Sequence, residues 1–177
     1  MDTITFMLLF ILVLVITFAW TGLFGAPWVP TSMKMVHKML AIAEVGPDDL
    51  VYDLGCGDGR MIITAARQYG SRAVGVEIDP LRYLWCQMLI SVLGLRDRVK
   101  VVYGNFFNQD LSEADVVTCY LLQATNLKLE NKLKQELHPG TRVVSNRFSF
   151  PGLYKVREDG DARLYLANFT QDESQKE

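Results

Sequence analysis

Residues Val51–Arg60 read V-Y-D-L-G-C-G-D-G-R, a short apolar run holding Asp53, followed by Gly55, Gly57 and Gly59 at alternating positions. The β-rich run Leu50–Leu54, turning through glycines into the helical pattern of Met61–Tyr69, predicts a strand, a tight loop and a helix. The alternation continues outward: Ala73–Ile78 then Leu81–Leu93, Val99–Tyr103, Asp115–Leu121 then Leu127–Leu137, and Arg142–Ser145. Such alternation predicts an α/β fold with a mostly parallel sheet covered by helices on both faces. Gly152–Val156 and Ala162–Phe169, separated by R-E-D-G-D, read as a hairpin closing the sheet.

Helix signals accompany the strands. Thr31 reads as the N-cap of a helix with Met33, Val36, Leu40 and Ala43 on one stripe, ending before Gly46-Pro47. Met33, Met35 and Met39 read as core packing, and His37 as a partly exposed helix histidine. Asp79 caps a helix starting at Pro80, with Leu81, Trp85, Met88, Leu89 and Val92 on one face. Leu129, Leu133 and Leu137 form a further stripe, stopped by Pro139-Gly140.

The chain has 177 residues, and its N-terminal part differs from the rest. No charged residue occurs from Thr3 to Met33, and Thr3–Leu23 is long enough at about 1.5 Å per residue to cross about 30 Å of hydrocarbon. A secretory signal would need a basic start, whereas the only charged side chain before this run is Asp2. The expected organisation is a transmembrane anchor over residues 1–24, a linker over 25–31, a catalytic domain over 32–169 and a polar tail over 170–177. Lys34 and Lys38 flank the run on one side only, which puts the N-terminus outside and the domain on the cytosolic face of a single-pass membrane protein.

Eighteen basic and 20 acidic side chains give a net charge of −2 without a basic stripe, so nucleic acid is disfavoured as a partner. Cys56, Cys86 and Cys119 have neither zinc spacing nor a disulfide pattern, and no metal is expected.

The glycine loop sits where open α/β sheets bind ligands, and amides at the start of the next helix are expected to face the crevice. Its G-x-G-x-G spacing lacks the third glycine of the dinucleotide pattern, and Asp58 would crowd a pyrophosphate. Asp53 instead suits an ammonium group. Glu77, twenty residues after Gly57, is placed to accept hydrogen bonds from ribose hydroxyls. Singly, Asp53 could bind loop amides and Glu77 could be a solvated strand end. In order on one β-α-β frame they point to a nucleoside-type ligand with an amino acid at its other end, which describes S-adenosylmethionine. Gly104-Asn105-Phe106-Phe107 follows the third strand, where Phe106 would meet an adenine or join the core.

The stretches V-Y-D-L-G-C-G-D-G-R, G-V-E-I-D and G-N-F-F, with V-P-T upstream and E-L-H-P-G-T-R-V-V-S downstream, resemble class I S-adenosylmethionine-dependent methyltransferases. Within them, the chain resembles the small archaeal and mitochondrial protein-lysine methyltransferases, of the ATP synthase c-subunit and adenine nucleotide translocase type, from about Val29 to Phe169. The resemblance implies a Rossmann-like, seven-stranded sheet with a C-terminal antiparallel hairpin. It implies cofactor contacts from Asp53, Gly55, Cys56, Gly57, Glu77, Ile78, Asn105 and Phe106, with Val29-Pro30-Thr31 closing over the cofactor. It also implies an acceptor mouth near Cys119-Tyr120-Leu121, where Tyr120 would orient an amine or serve as a core tyrosine. No [DN]-P-P-[YF] follows the fourth strand. The implied substrate is a lysine on a membrane protein, with the bilayer reached through the N-terminal helix. A lipid-headgroup or small-molecule methyltransferase, or a non-catalytic nucleoside-binding module, are the alternatives.

Overall fold

Short runs of β-branched residues become the strands, and the glycines between them become the turns. The computed structural model describes residues 2–9, 11, 12 and 29–167. Its elements are α1 (Met33–Ile42), β1 (Leu50–Leu54), α2 (Arg60–Tyr69), β2 (Arg72–Glu77), α3 (Pro80–Val92), β3 (Val99–Tyr103), a 3₁₀ turn (Phe106–Asn108), β4 (Val116–Cys119), α4 (Gln123–Glu136), β5 (Arg142–Asn146), β6 (Tyr154–Asp159) and β7 (Ala162–Leu166). The seven strands form one sheet in the order β3-β2-β1-β4-β5-β7-β6. Pairings among β1 to β5 are parallel, while β7 runs antiparallel to both β5 and β6. This is the expected Rossmann-like topology, with the C-terminal hairpin inserted so that β6 is the edge. Every residue of β6 is exposed, and its charged side chains blunt that edge against stray pairing.

Side chains alternate across the sheet and feed two cores. One joins Val36, Met39 and Leu40 of α1, Ile62 and Ala65 of α2, and Cys86 and Ile90 of α3 to Val51, Ala73, Val101 and Val116. The other joins Leu129 and Leu133 of α4 and Phe150 to Leu54, Val76, Val117, Val143 and Tyr165.

Three local expectations change. Ser32, not Thr31, caps α1, accepting from the Met35 amide at 3.3 Å. Of the three methionines read as core, only Met39 is buried; Met33 is exposed and Met35 half-buried. The face of α3 carrying Leu81, Trp85, Met88 and Val92 turns to solvent, and the helix packs on the sheet through Cys86 and Ile90 instead. Periodicity marks residues that share a face, but α3 is apolar on both sides, so the pattern alone does not select which side packs.

Residues 3–9, 11 and 12 are helical. Among the described residues no helix is long and apolar enough to cross a membrane. The greater part of the expected anchor, residues 25–28 of the linker and the tail over 170–177 lie outside the described residues.

Candidate active site

The chain leaves β1 for β2 on one side and later returns to β4 on the other, so the carboxyl ends of these strands part around a crevice. A cleft of about 400 Å³ opens there. Its wall includes Thr31, Asp53, Gly55, Cys56, Gly57, Glu77, Ile78, Phe106 and Tyr120, all expected from the sequence. Asn105 is not on that wall: it is exposed, and its side chain accepts from the Phe107 amide at 3.0 Å to cap the 3₁₀ turn.

Gly55, Gly57 and Gly59 all have positive φ (80°, 58° and 81°). At Gly59 space matters as well, since a Cβ would stand 2.8 Å from the Cys86 sulfur. The glycines thus let the loop fold tightly against α3 and leave the cleft open. The expected row of free amides is not found. Gly55 and Cys56 donate to the Val76 carbonyl, Gly59 to the Cys56 carbonyl, Gly57 to Glu77 and Arg60 to Asp58. A phosphate would need those donors unoccupied, so the loop offers close approach rather than an anion cradle.

Electrostatics supply the attraction instead. Asp53 is 7% exposed at the end of β1 and accepts from the Thr118 hydroxyl at 2.8 Å. Burial raises its pKa to about 7; the Thr118 hydrogen bond opposes this, and the negative charges of Glu77 and Asp58 add to it. Among the described residues no ion pair reaches Asp53. A cationic group entering the cleft relieves this situation, and the ammonium of S-adenosylmethionine fits it.

Glu77 is buried at the end of β2, taking the amides of Gly57 and Asp79 at 2.8 Å each, with Arg82 Nε 3.6 Å away. A carboxylate has about four acceptor positions, so two amides leave capacity for ribose hydroxyls. Asp58, which would have repelled a pyrophosphate, is clamped by Arg60. Burial pushes the Asp58 carboxyl up, but the Arg60 hydrogen bonds outweigh it and hold the pKa below the usual range. Arg60 also donates to the Thr31 carbonyl at 2.7 Å, fastening the V-P-T segment over the loop.

At the other end stand Tyr120 and Phe148, stacked with centroids 6.4 Å apart. Phe148 is held from a distance in sequence: Asn126 donates to its carbonyl at 3.2 Å, and Gln123 exchanges hydrogen bonds with Ser149. Arg147 beside it has φ 69°, an uncommon conformation for a non-glycine residue. The two thiols on the wall, Cys56 and Cys119, are held in the protonated form. Hydrogen bonding with Cys86 and burial raise the Cys56 pKa well up, and burial pushes Cys119 to about 12.

Sequence reasoning missed Arg60, Arg82, Arg147 and Phe148, which also line the cleft. Arg60 and Arg82 lie two and three residues after Asp58 and Asp79 and could have been sought as their partners. Arg147 and Phe148 lie in a loop with no periodic signal.

Residues 53–157 match the family described as the ANTKMT methyltransferase domain. The chain is 53% identical over 127 residues to a protein-lysine N-methyltransferase of Saccharolobus islandicus, covering 71% of this chain and 79% of that protein. It is 30% identical over 125 residues to the ATP synthase c-subunit lysine N-methyltransferase of Homo sapiens, covering 71% of this chain but 53% of the relative, so it spans about half of that protein's length. Among solved structures, an RNA methyltransferase from Salinibacter ruber in complex with S-adenosyl-L-homocysteine superposes with a TM-score of 0.74 at 40% identity, covering 80% of this chain and 96% of that one.

Proposed function

The chain belongs to the ANTKMT methyltransferase family and is an S-adenosylmethionine-dependent methyltransferase, and on that premise we propose that it methylates the side-chain amine of lysine on a membrane or membrane-proximal protein. The observation that carries the lysine reading is the 53% identity, across most of both chains, to the protein-lysine N-methyltransferase of Saccharolobus islandicus. The cleft supports it. Its acceptor end holds the aromatic pair Tyr120 and Phe148 and no basic stripe, a surface suited to the hydrocarbon stem of lysine.

When bound, S-adenosylmethionine supplies a methyl carbon that an amine lone pair can displace in line from sulfur. The chain's own residues bind and align. Asp53 meets the ammonium, Glu77 the ribose hydroxyls and Phe106 the adenine, while Arg60 fastens Val29–Thr31 across the cleft. Tyr120 orients the acceptor. A lysine amine has an ordinary pKa of about 10.4, so the mouth must favour its neutral form through desolvation and a neighbouring positive charge. Among the described residues the cleft shows no obvious dedicated base, and the ammonium would release its proton to bulk water as it enters the mouth.

The membrane part of the reading rests on the uncharged run Thr3–Leu23 and on Lys34 and Lys38 beyond it, which favour one span with the N-terminus outside and the domain on the cytosolic side. Phe24–Thr31 is eight residues, which reach at most about 28 Å, so an anchored domain works close to the headgroups. RNA is the second reading, favoured by the likeness to the Salinibacter ruber RNA methyltransferase and opposed by the net charge of −2.

Native membranes and total RNA are incubated with the full chain and methyl-labelled cofactor, and the label is located. Label in protein lysines is expected. Label confined to lipid headgroups or to RNA overturns the lysine reading. Release of the chain by carbonate washing overturns the anchor.

A further inference from the structure

The helix α3 has an unusual composition for a helix on the outside of a sheet. Its thirteen residues, P-L-R-Y-L-W-C-Q-M-L-I-S-V, include one charged side chain, Arg82, which is drawn inward to Asp79 at 3.3 Å and Glu77 at 3.6 Å. Cys86 and Ile90 already supply the packing face. On the opposite side Leu81, Leu84, Trp85, Met88 and Val92, spaced three and four apart, are 55%, 57%, 50%, 46% and 77% exposed. A helix apolar all round is stable when covered on every side, in a core or in lipid.

The run of the chain indicates what covers it. The uncharged stretch Thr3–Leu23 leads to Val29, itself 56% exposed, which lines the same cleft as Asp79 and Arg82 from the start of α3. A bilayer that holds the run therefore lies within about 28 Å of Thr31, on whose cleft α3 begins. Trp85 is a side chain that favours the headgroup boundary, and the exposed Arg96 follows the helix where anionic headgroups would attract it.

We propose that the outer face of α3 docks on the bilayer surface and fixes how the domain is turned against the membrane. This rests on the membrane reading of the function and adds an orientation to it. An anchor alone leaves the domain free to turn. Docking through α3 holds the start of α3, and with it the Asp79 and Arg82 side of the cleft, close to the headgroup region.

The test uses the full chain in phosphatidylcholine–phosphatidylserine vesicles, with Met88→Cys carrying an environment-sensitive fluorophore and nitroxides placed at known depths on the lipids. Cys56, Cys86 and Cys119 are buried, so labelling is selective. A second site, Lys155→Cys on the exposed strand β6, serves as the reference. The expected result is a blue shift and quenching at position 88 by shallow acyl-chain nitroxides, with position 155 unquenched, and loss of the position-88 quenching in Leu84→Glu/Trp85→Glu with cofactor affinity retained. An unquenched position 88 overturns the proposal. That outcome covers a face shielded by the chain's own N-terminal run, seen as a blue shift without lipid, and a face shielded by a second copy, seen as energy transfer between labelled chains. Carbonate washing separates the two ideas: a retained chain with position 88 unquenched keeps the anchor and removes the docking face. A released chain that was quenched beforehand does the reverse.

Discussion

Cofactor affinity is expected to follow the ionisation of Asp53. Its carboxyl is buried at the end of β1 with a pKa raised to about 7, chiefly by burial. A cationic ligand binds the ionised form, so the apparent dissociation constant is the intrinsic one divided by the ionised fraction. With a midpoint near 7, half the sites are ready at pH 7 and about one in eleven at pH 6, giving binding about five-fold weaker at pH 6 than at pH 7. Titration calorimetry with S-adenosyl-L-homocysteine between about pH 5.5 and 7.5 keeps the ligand's own α-amino group mostly protonated, since that group titrates near 7.7–8.0. Asp53→Asn should bind about ten-fold more weakly at pH 7.5 and lose the slope, as one charge-assisted hydrogen bond is removed. A flat affinity profile in the natural protein would refute the reasoning.

The same group makes a claim about stability with the opposite sign. A carboxyl raised from 3.8 to about 7 on folding favours the fold while it is protonated. That contribution is fully present below about pH 3.8 and is lost as pH rises through 7, a difference of about 4 kcal/mol. Asp53→Asn should therefore raise the Tm of the unliganded protein at pH 8 by several degrees and have little effect at pH 4. A lower Tm at pH 8 would mean that the carboxylate already has a cationic partner.

Gly59→Ala puts a Cβ 2.8 Å from the Cys86 sulfur at φ 81° and should cost about 1–3 kcal/mol in a denaturant titration; an unchanged midpoint contradicts the close approach. Arg60→Ala releases the Thr31 carbonyl, and cofactor Kd should rise about ten-fold with partial recovery in Arg60→Lys; an unaltered Kd removes the strap. Phe148→Ala should leave cofactor Kd unaltered and raise KM for a lysine acceptor about ten-fold; an effect on Kd alone would place Phe148 on the cofactor instead.

Much of the frame was legible because local chemistry decides it. Leu50–Leu54 and Val99–Tyr103 begin and end as the sequence predicts, and Asp79-Pro80 opens α3 with the side chain of Asp79 accepting two amides. What escaped depends on contacts between distant segments. Phe148 is placed by Asn126 and, through Ser149, by Gln123, more than twenty positions earlier, and no local rule announces such bracing. The loop amides looked free because helix starts leave donors unpaired. The Val76 carbonyl and the Glu77 side chain, brought alongside by β2, take several of them. Glu77 was legible as a ligand to ribose but not as the brace of the loop that approaches the same cofactor.

That double use bears on how one cleft can favour a charged cofactor and still accept an amine. Asp58 and Asp79 have arginine partners, Arg60 and Arg82, so their charges are largely compensated locally. Glu77 shares Arg82 at 3.6 Å, and among the described residues Asp53 has the Thr118 hydroxyl and no ion pair. The uncompensated negative charge is thus concentrated at the carboxyl end of β1, beside the loop that admits the cofactor. Asp53 there would hold the ammonium of the cofactor, and the cleft's negative charge would favour a cofactor that also carries a sulfonium over the product that has lost it. At the far end, beside Tyr120 and Phe148, the guanidinium of Arg147 on the wall lies 5.9 Å from the Phe148 ring centroid. A lysine reaching in from that side would meet positive charge and lose water, both of which favour the neutral amine that can react, while the aromatic wall would pack on its hydrocarbon stem.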